Sequence, residues 1–205
     1  MKKGKANSTA GPRPRGRPIS KEVDRALAEA AVKEFIQRGY QGMSMESIAA
    51  RAGVSKLSLY RRWKSKLAVT REVFRILSQK RAPADHGNLA ADIHALIAES
   101  IGSEEAKSSA RLVLRTMGEI CDSPGLLAAY RKHLLAPRME QLRTIIERAR
   151  ARGELRRGVS TDAACAMVAG PLLLYYLSLV AGARLELHGD LAAQLTRLIL
   201  GAIGK

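Results

Sequence analysis

Lys56, Tyr60 and Lys64 recur every four residues, with Leu57 and Arg61 beside them. On a helix this spacing gathers them on one stripe, turned away from Leu59 and Trp63. Ammonium, guanidinium and phenol groups together form a surface of hydrogen-bond donors suited to anionic oxygens, and an arginine fork also matches the two acceptors on a guanine edge. Core packing does not account for such a face, although a solvated charged surface would.

The charge of the chain favours the first reading. Residues 1–82 hold 20 of the 35 lysines and arginines but 6 of the 19 acids, a net of +14; residues 83–205 hold the other 15 bases and 13 acids, a net of +2. Clustered bases of this kind suit a polyanion, nucleic acid above all, because phosphate neutralisation releases counterions. Catalysis is not indicated. No nucleophile–base pair, metal-ligand cluster or phosphate loop appears, so neither an enzyme nor a cofactor or metal is expected. Cys121 and Cys165 lie far apart, and His86, His94, His133 and His188 are scattered. With a polar, basic N-terminus lacking an apolar core, this reads as a cytoplasmic protein. One stretch runs against that: Ala163 to Ala183 is uncharged and long enough to span a bilayer. Its small residues, Gly170-Pro171 and mid-span Tyr175 and Tyr176 instead favour a helix buried in protein, for instance between subunits.

The elements that must hold the basic stripe can be read from caps and stops. Residues 1–18, rich in Lys, Arg, Gly and Pro, are expected to be a disordered arm. Ser20 caps a first helix with Val23, Leu27, Ala30, Ala31 and Phe35 at helical spacing, and Gly39 stops it. Ser44 opens a second helix to Ala52, Ser55 a third through Trp63, and Ser65 a fourth from Lys66 to about Lys80. Further helices are expected near 88–101, 104–121, 124–151, 160–182 and 189–203, the third of these kinked or split at Pro137. No segment alternates as a strand does, so the fold class is all-α.

Between the second and third helices, Ala49 provides a small residue for a steep crossing and Gly53 a positive φ for the turn. Val54 turns inward, and Ile48, Leu59 and Trp63 sit on the faces that meet. This is the spacing of a helix-turn-helix. The run Arg38-Gly39-Tyr40, then Ser44 through Lys56, then Leu59-Tyr60-Arg61-Arg62-Trp63 and Ser65-Lys66, resembles the TetR family of transcriptional regulators over about residues 20–75. The resemblance implies a three-helix DNA-binding head (residues 19–65) and, over residues 66–205, a linking helix with a ligand-binding and dimerisation body of about five or six helices. It implies a ligand-responsive regulator, typically a repressor, bound as a dimer to a palindromic operator.

Carried over by position, Ser44, Tyr60 and Lys66 are expected on phosphates, and Ser55, Lys56, Leu57, Ser58 and Arg61 at base edges, with Arg62 on either. The sequence departs from the family at Leu57, commonly glycine, and at Leu67-Ala68, where an acid usually follows the lysine. In the arm, Pro14-Arg15-Gly16-Arg17-Pro18 has the form of an AT-hook core, whose Arg15 and Arg17 suit a narrow A·T minor groove.

In the body, Leu172, Leu173, Tyr176, Leu179 and Val180 form one broad apolar face, and Leu191, Leu195, Leu198 and Ile199 a stripe on the last helix. Two such helices per subunit are expected to build an intermolecular four-helix bundle, hence a homodimer without a membrane partner. For an unknown small-molecule effector, the candidate linings are His94, Arg115, Met117, Glu119, Cys121, Tyr130 and Tyr175, polar or adaptable groups on core helices. A low-specificity architectural DNA-binding protein is the alternative reading.

Overall fold

The computed structural model describes residues 21–78, 83–182 and 190–205, without the side chains of residues 105, 106, 109, 110, 113 and 115. The arm, with Arg15 and Arg17, lies outside the described residues, as does the side chain of Arg115. Ten α-helices follow in order among them: α1 (Lys21–Gly42), α2 (Met45–Ala52), α3 (Lys56–Arg62), α4 (Lys66–Ser78), α5 (Leu89–Gly102), α6 (Glu104–Asp122), α7 (Pro124–Tyr130), α8 (Ala136–Ala151), α9 (Thr161–Ala181) and α10 (Leu191–Ile203). A five-residue π turn, Arg131–Leu135, joins α7 to α8. The only extended pairing among the described residues is an isolated bridge, Leu155 with Gly204. The fold is all-α.

Side-chain caps explain most of the helix starts. Ser44, Ser55, Asn88, Ser123, Ser160 and Asp190 each accept a hydrogen bond from the backbone N–H three residues on. The stop expected at Gly39 is present as a break in α1, where Gly39 takes φ 71° and ψ −176°. Helical hydrogen bonding resumes for three residues beyond it, so α1 ends at Gly42.

The long helix expected over 124–151 divides, and it does so just ahead of Pro137. Proline has no N–H to donate and its ring clashes with the carbonyl four residues back. The chain answers with wider bonds: the Ala136 N–H reaches the Arg131 carbonyl, five residues back, before α8 takes over.

Two apolar cores hold the molecule together. The first joins Leu27, Ala31 and Phe35 of α1, Ile48 of α2 and Leu59 of α3 to Val73 and Phe74 of α4, Leu112 and Ile120 of α6, and Leu126 and Leu134. The second joins Ile93 and Ile97 of α5, Ile145 and Ile146 of α8, Ala164 and Val168 of α9, and Ile199 and Ile203 of α10. The small head therefore shares its core with part of the body.

Helix α9 is long and apolar enough to cross a membrane, with a mean hydropathy of 1.9, yet only 22% of its most apolar window is buried within the chain. Ala164, Cys165 and Val168 face the second core, while Met167, Leu173, Leu174, Leu177 and Val180 are exposed. Leu198 of α10, at 71% exposure, adds to the uncovered apolar surface although Ile199 beside it is buried.

Candidate nucleic-acid interface

The geometry of the interface begins with α2. Ser44 caps it twice over: its Oγ accepts from the Ser47 N–H at 3.0 Å, and the Ser44 N–H donates to the Ser47 Oγ at 3.1 Å. The hydroxyl proton of Ser44 remains available to an outside acceptor. At the other end Gly53 adopts φ 67° and ψ 29°, and its N–H donates to the Ala50 carbonyl at 3.2 Å. A Cβ at Gly53 would meet nothing within 4 Å, so the left-handed backbone alone demands glycine.

That turn aims α3. Leu59 is fully buried and Trp63 nearly so, which rolls Ser55, Lys56, Leu57, Tyr60, Arg61, Arg62 and Lys64 to the outside. Leu57 is 62% exposed, too much for a residue whose role is to pack its own chain. Ser58 is half-buried; its backbone N–H is held by the Ser55 Oγ at 3.2 Å and the two hydroxyls lie 3.0 Å apart. One convex face thus carries four cations, a phenol and two hydroxyls.

Two of those cations, and Lys66 at the start of α4, are already engaged. Lys56 Nζ lies 3.2 Å from Glu46 of α2, and Arg62 Nε 3.3 Å from Asp24 of α1 with its guanidinium 5.7 Å from the Trp63 ring. Lys66 donates to the Gln41 carbonyl at 3.2 Å and sits 4.6 Å over the Tyr40 ring. Arg61 makes no ion pair among the described residues. These exposed pairs are weak and exchangeable, so a phosphate can take over either Lys56 or Arg62.

Beneath the face lies an ion cluster that sequence reading missed. Glu34 of α1 is buried at 1% exposure; Arg51 of α2 bonds it through Nε at 2.7 Å, and Arg38 lies 3.3 Å away. Burial opposes its charge, but the Ser47 hydroxyl, Arg51 and Arg38 outweigh that, holding its carboxyl below the usual glutamate value. The cluster fixes the angle of α2 on α1. Its signal was in the sequence: Glu34 stands on the stripe of Leu27, Ala30, Ala31 and Phe35, where an acid needs a buried partner.

Among the described residues, the expected ligand linings have different surroundings. His94 is exposed beside Asp190, 4.0 Å away. Glu119 accepts from the Gln41 N–H at 3.2 Å, joining α6 to the end of α1. Tyr130 packs edge-on against Phe74, with centroids 6.0 Å apart, and Tyr175 lies 5.5 Å from Tyr176 on α9. Met117 is half-buried and Cys121 exposed. Contacts such as these depend on neighbours distant in sequence, which periodicity does not reveal.

With the helix-turn-helix in place, comparison with known proteins supplies its context. Residues 27–73 match the family model for bacterial regulatory proteins of the tetR family, and residues 83–199 match a tetracyclin repressor-like C-terminal domain. The chain belongs to the TetR family of helix-turn-helix transcriptional regulators. It is 29% identical over 172 residues to the uncharacterised HTH-type transcriptional regulator YdeS of Bacillus subtilis (strain 168), covering 82% of this chain and 84% of that one. A Mycobacterium bovis regulator, Mb1581, also uncharacterised, is 27% identical over 72% of each chain. Among solved structures, a TetR-family regulator from Mesorhizobium loti MAFF303099 superposes with a TM-score of 0.64 at 23% identity, covering 91% of this chain and all of that one. The Bacillus subtilis regulator FadR, in complex with stearoyl-CoA, gives 0.63 at 18% identity over 87% of this chain and 96% of its own. At such identities these structures share the fold.

Proposed function

We propose that this regulator is a cytoplasmic homodimer that binds a palindromic operator, represses transcription there, and releases it when a small organic effector occupies the body. The observation that carries the reading is the outward face of α3, held by the Gly53 turn with Lys56, Leu57, Tyr60, Arg61 and Arg62 in the open. Arg61 reads a guanine through its fork, Leu57 packs on a thymine methyl, and Ser55, Lys56 and Ser58 complete the base-edge contacts. Ser44, Tyr60 and Lys66 hold phosphates, with Arg62 shared between the two tasks. Arg15 and Arg17 follow the flanking minor groove.

Dimerisation is supported by the uncovered apolar faces of α9 and α10, whose burial against a second copy satisfies surface that a soluble monomer would leave in water. One recognition helix reads too few bases for useful specificity, so two half-sites about 34–36 Å apart, or a multiple of that, follow from the dimer. The head is tied to the body by α4 and by the Glu119 contact to α1, which gives an effector in the body a mechanical route to the head. Binding, without catalysis, is the whole activity in this reading.

Selection from a random DNA pool tests it. An inverted repeat with half-sites at that spacing is expected; recovery of no consensus would instead favour an architectural protein that coats DNA. Deleting residues 1–18 is expected to weaken A·T-flanked sites more than G·C-flanked ones, and an equal loss by fluorescence anisotropy would reduce the arm to a non-specific basic tail.

A further inference from the structure

Among the described residues of the body, Arg138 is a half-buried cation whose surroundings do not explain it. It stands in the first turn of α8, and one terminal nitrogen donates to the Leu77 carbonyl in the last turn of α4 at 3.2 Å. Its Nε is sealed from solvent and makes no hydrogen bond. No carboxylate pairs with it among the described residues, and burial holds its guanidinium below the ordinary arginine value. Arg148, half-buried and likewise with an unbonded Nε, and the exposed Arg152 differ in having carboxylates beside them. Arg148 lies 3.7 Å from Asp85 and 4.0 Å from Asp92, and Arg152 lies 3.2 Å from Asp85 and 3.3 Å from Asp92. A buried guanidinium without a counter-charge destabilises its own fold and is a group waiting for an anion.

The neighbourhood has the makings of a binding site. Tyr130 of α7 and Tyr176 of α9 are the groups that act electrostatically on Arg138, and burial raises both phenols above the usual tyrosine range. Tyr176 donates to the Ser100 carbonyl of α5 at 2.7 Å. Arg138 therefore stands on α8 beside the end of α4, within electrostatic reach of Tyr130 and Tyr176, the latter tied to α5. It also lies at the seam of the two cores: Leu77 and Tyr130 pack on the first, Met139 and Leu172 on the second. The π turn just before α8 matters here, because one extra residue in a turn rotates every later side chain by about 100° relative to an unbroken helix.

We infer that the effector of this regulator is an organic carboxylate, its anionic group paired with Arg138 and its apolar part lodged between the two cores. The inference rests on the proposed reading of the body as an effector site and deepens it. The partner of Arg138 is the end of α4, the helix that joins the head to the body. A carboxylate that draws the guanidinium off Leu77 frees that turn. From Tyr130 a ring-to-ring path continues through Phe74, 6.0 Å away, to Phe35 of α1 at 5.5 Å.

The test uses the full-length dimer and the operator selected from the random pool. The probes are octanoate, dodecanoate, benzoate and phenylacetate, each beside its primary amide, which keeps the shape and removes the charge. At least one acid is expected to raise the melting temperature by about 2 °C or more and to weaken operator binding about tenfold, while its amide does neither. Arg138→Gln is expected to abolish the preference for acid over amide and Arg138→Lys to keep part of it. Without ligand, Arg138→Met is expected to melt level with the unsubstituted protein or above it, because an unpaired charge has gone. The inference is overturned if no acid outperforms its amide, if Arg138→Gln discriminates as before, or if Arg138→Met lowers the melting temperature by more than roughly 4 °C, which marks a structural pin. Failure to recover any operator would overturn the underlying regulator reading instead, a separate result.

Discussion

At the scale of single residues, Arg61 and Glu34 stand for the two kinds of charge in the head. Arg61 is exposed and makes no ion pair among the described residues, so its guanidinium is available to a base edge. Arg61→Ala is expected to cost about 1–3 kcal/mol of operator affinity and to relax the preference at one base position. Anisotropy titrations against operators varied at each position would reveal it; a uniform loss at every position would return Arg61 to the phosphates. Glu34 is the opposite case. Because its folded pKa lies below the ordinary value of 4.5, its charge stabilises the fold above that value and the contribution is lost as pH falls through the lowered one. Glu34→Gln is expected to destabilise the protein by about 1–3 kcal/mol near neutral pH and to flatten the acid limb of a melting-temperature profile. An unchanged acid limb would discount the cluster. The types and order of the interface residues were legible in the sequence because short caps and a glycine turn fix them locally. The engagement of Lys66 with Tyr40 and Gln41, and of Glu119 with α1, was not, since each joins residues far apart in the chain.

At the scale of elements, helix starts were readable because Ser44, Ser55, Ser123 and Ser160 announce them by side-chain chemistry. The π turn was half legible: Pro137 foretold a break, but only packing decides that the chain absorbs it by wider hydrogen bonds before the proline instead of by a kink at it. The turn at Gly53 makes a sharp prediction. Since an added Cβ meets open space there, Gly53→Ala tests backbone strain alone. It is expected to cost about 1–2 kcal/mol, read as a lower melting temperature, and to weaken operator binding further by misaiming α3. A variant as stable as the parent would show that the turn tolerates another backbone conformation.

At the scale of the whole molecule, α9 illustrates what composition leaves open. Its apolar length fitted both a membrane span and a subunit interface, and the family to which the chain belongs favours the latter. Leu174 and Leu177, at 59% and 45% exposure, belong to the uncovered apolar face of α9 that the proposed dimer would bury. Replacing both with Glu is expected to yield a folded monomer in sedimentation velocity, with binding to the two-half-site operator lowered far more than to a single half-site. A variant that remains dimeric would move the interface elsewhere. The shared core has a consequence for engineering. Phe35 leans on Phe74, and Leu59 and Ile48 belong to one apolar cluster with Leu112, Ile120 and Leu134. A chimera that transplants residues 19–65 onto a foreign body would strip that cluster of half its walls. A graft that keeps its shape must bring α4 along with the facing surfaces of α6 and α7, so the natural seam for swapping specificities in this regulator runs through the interior of the body and not along the end of the third helix.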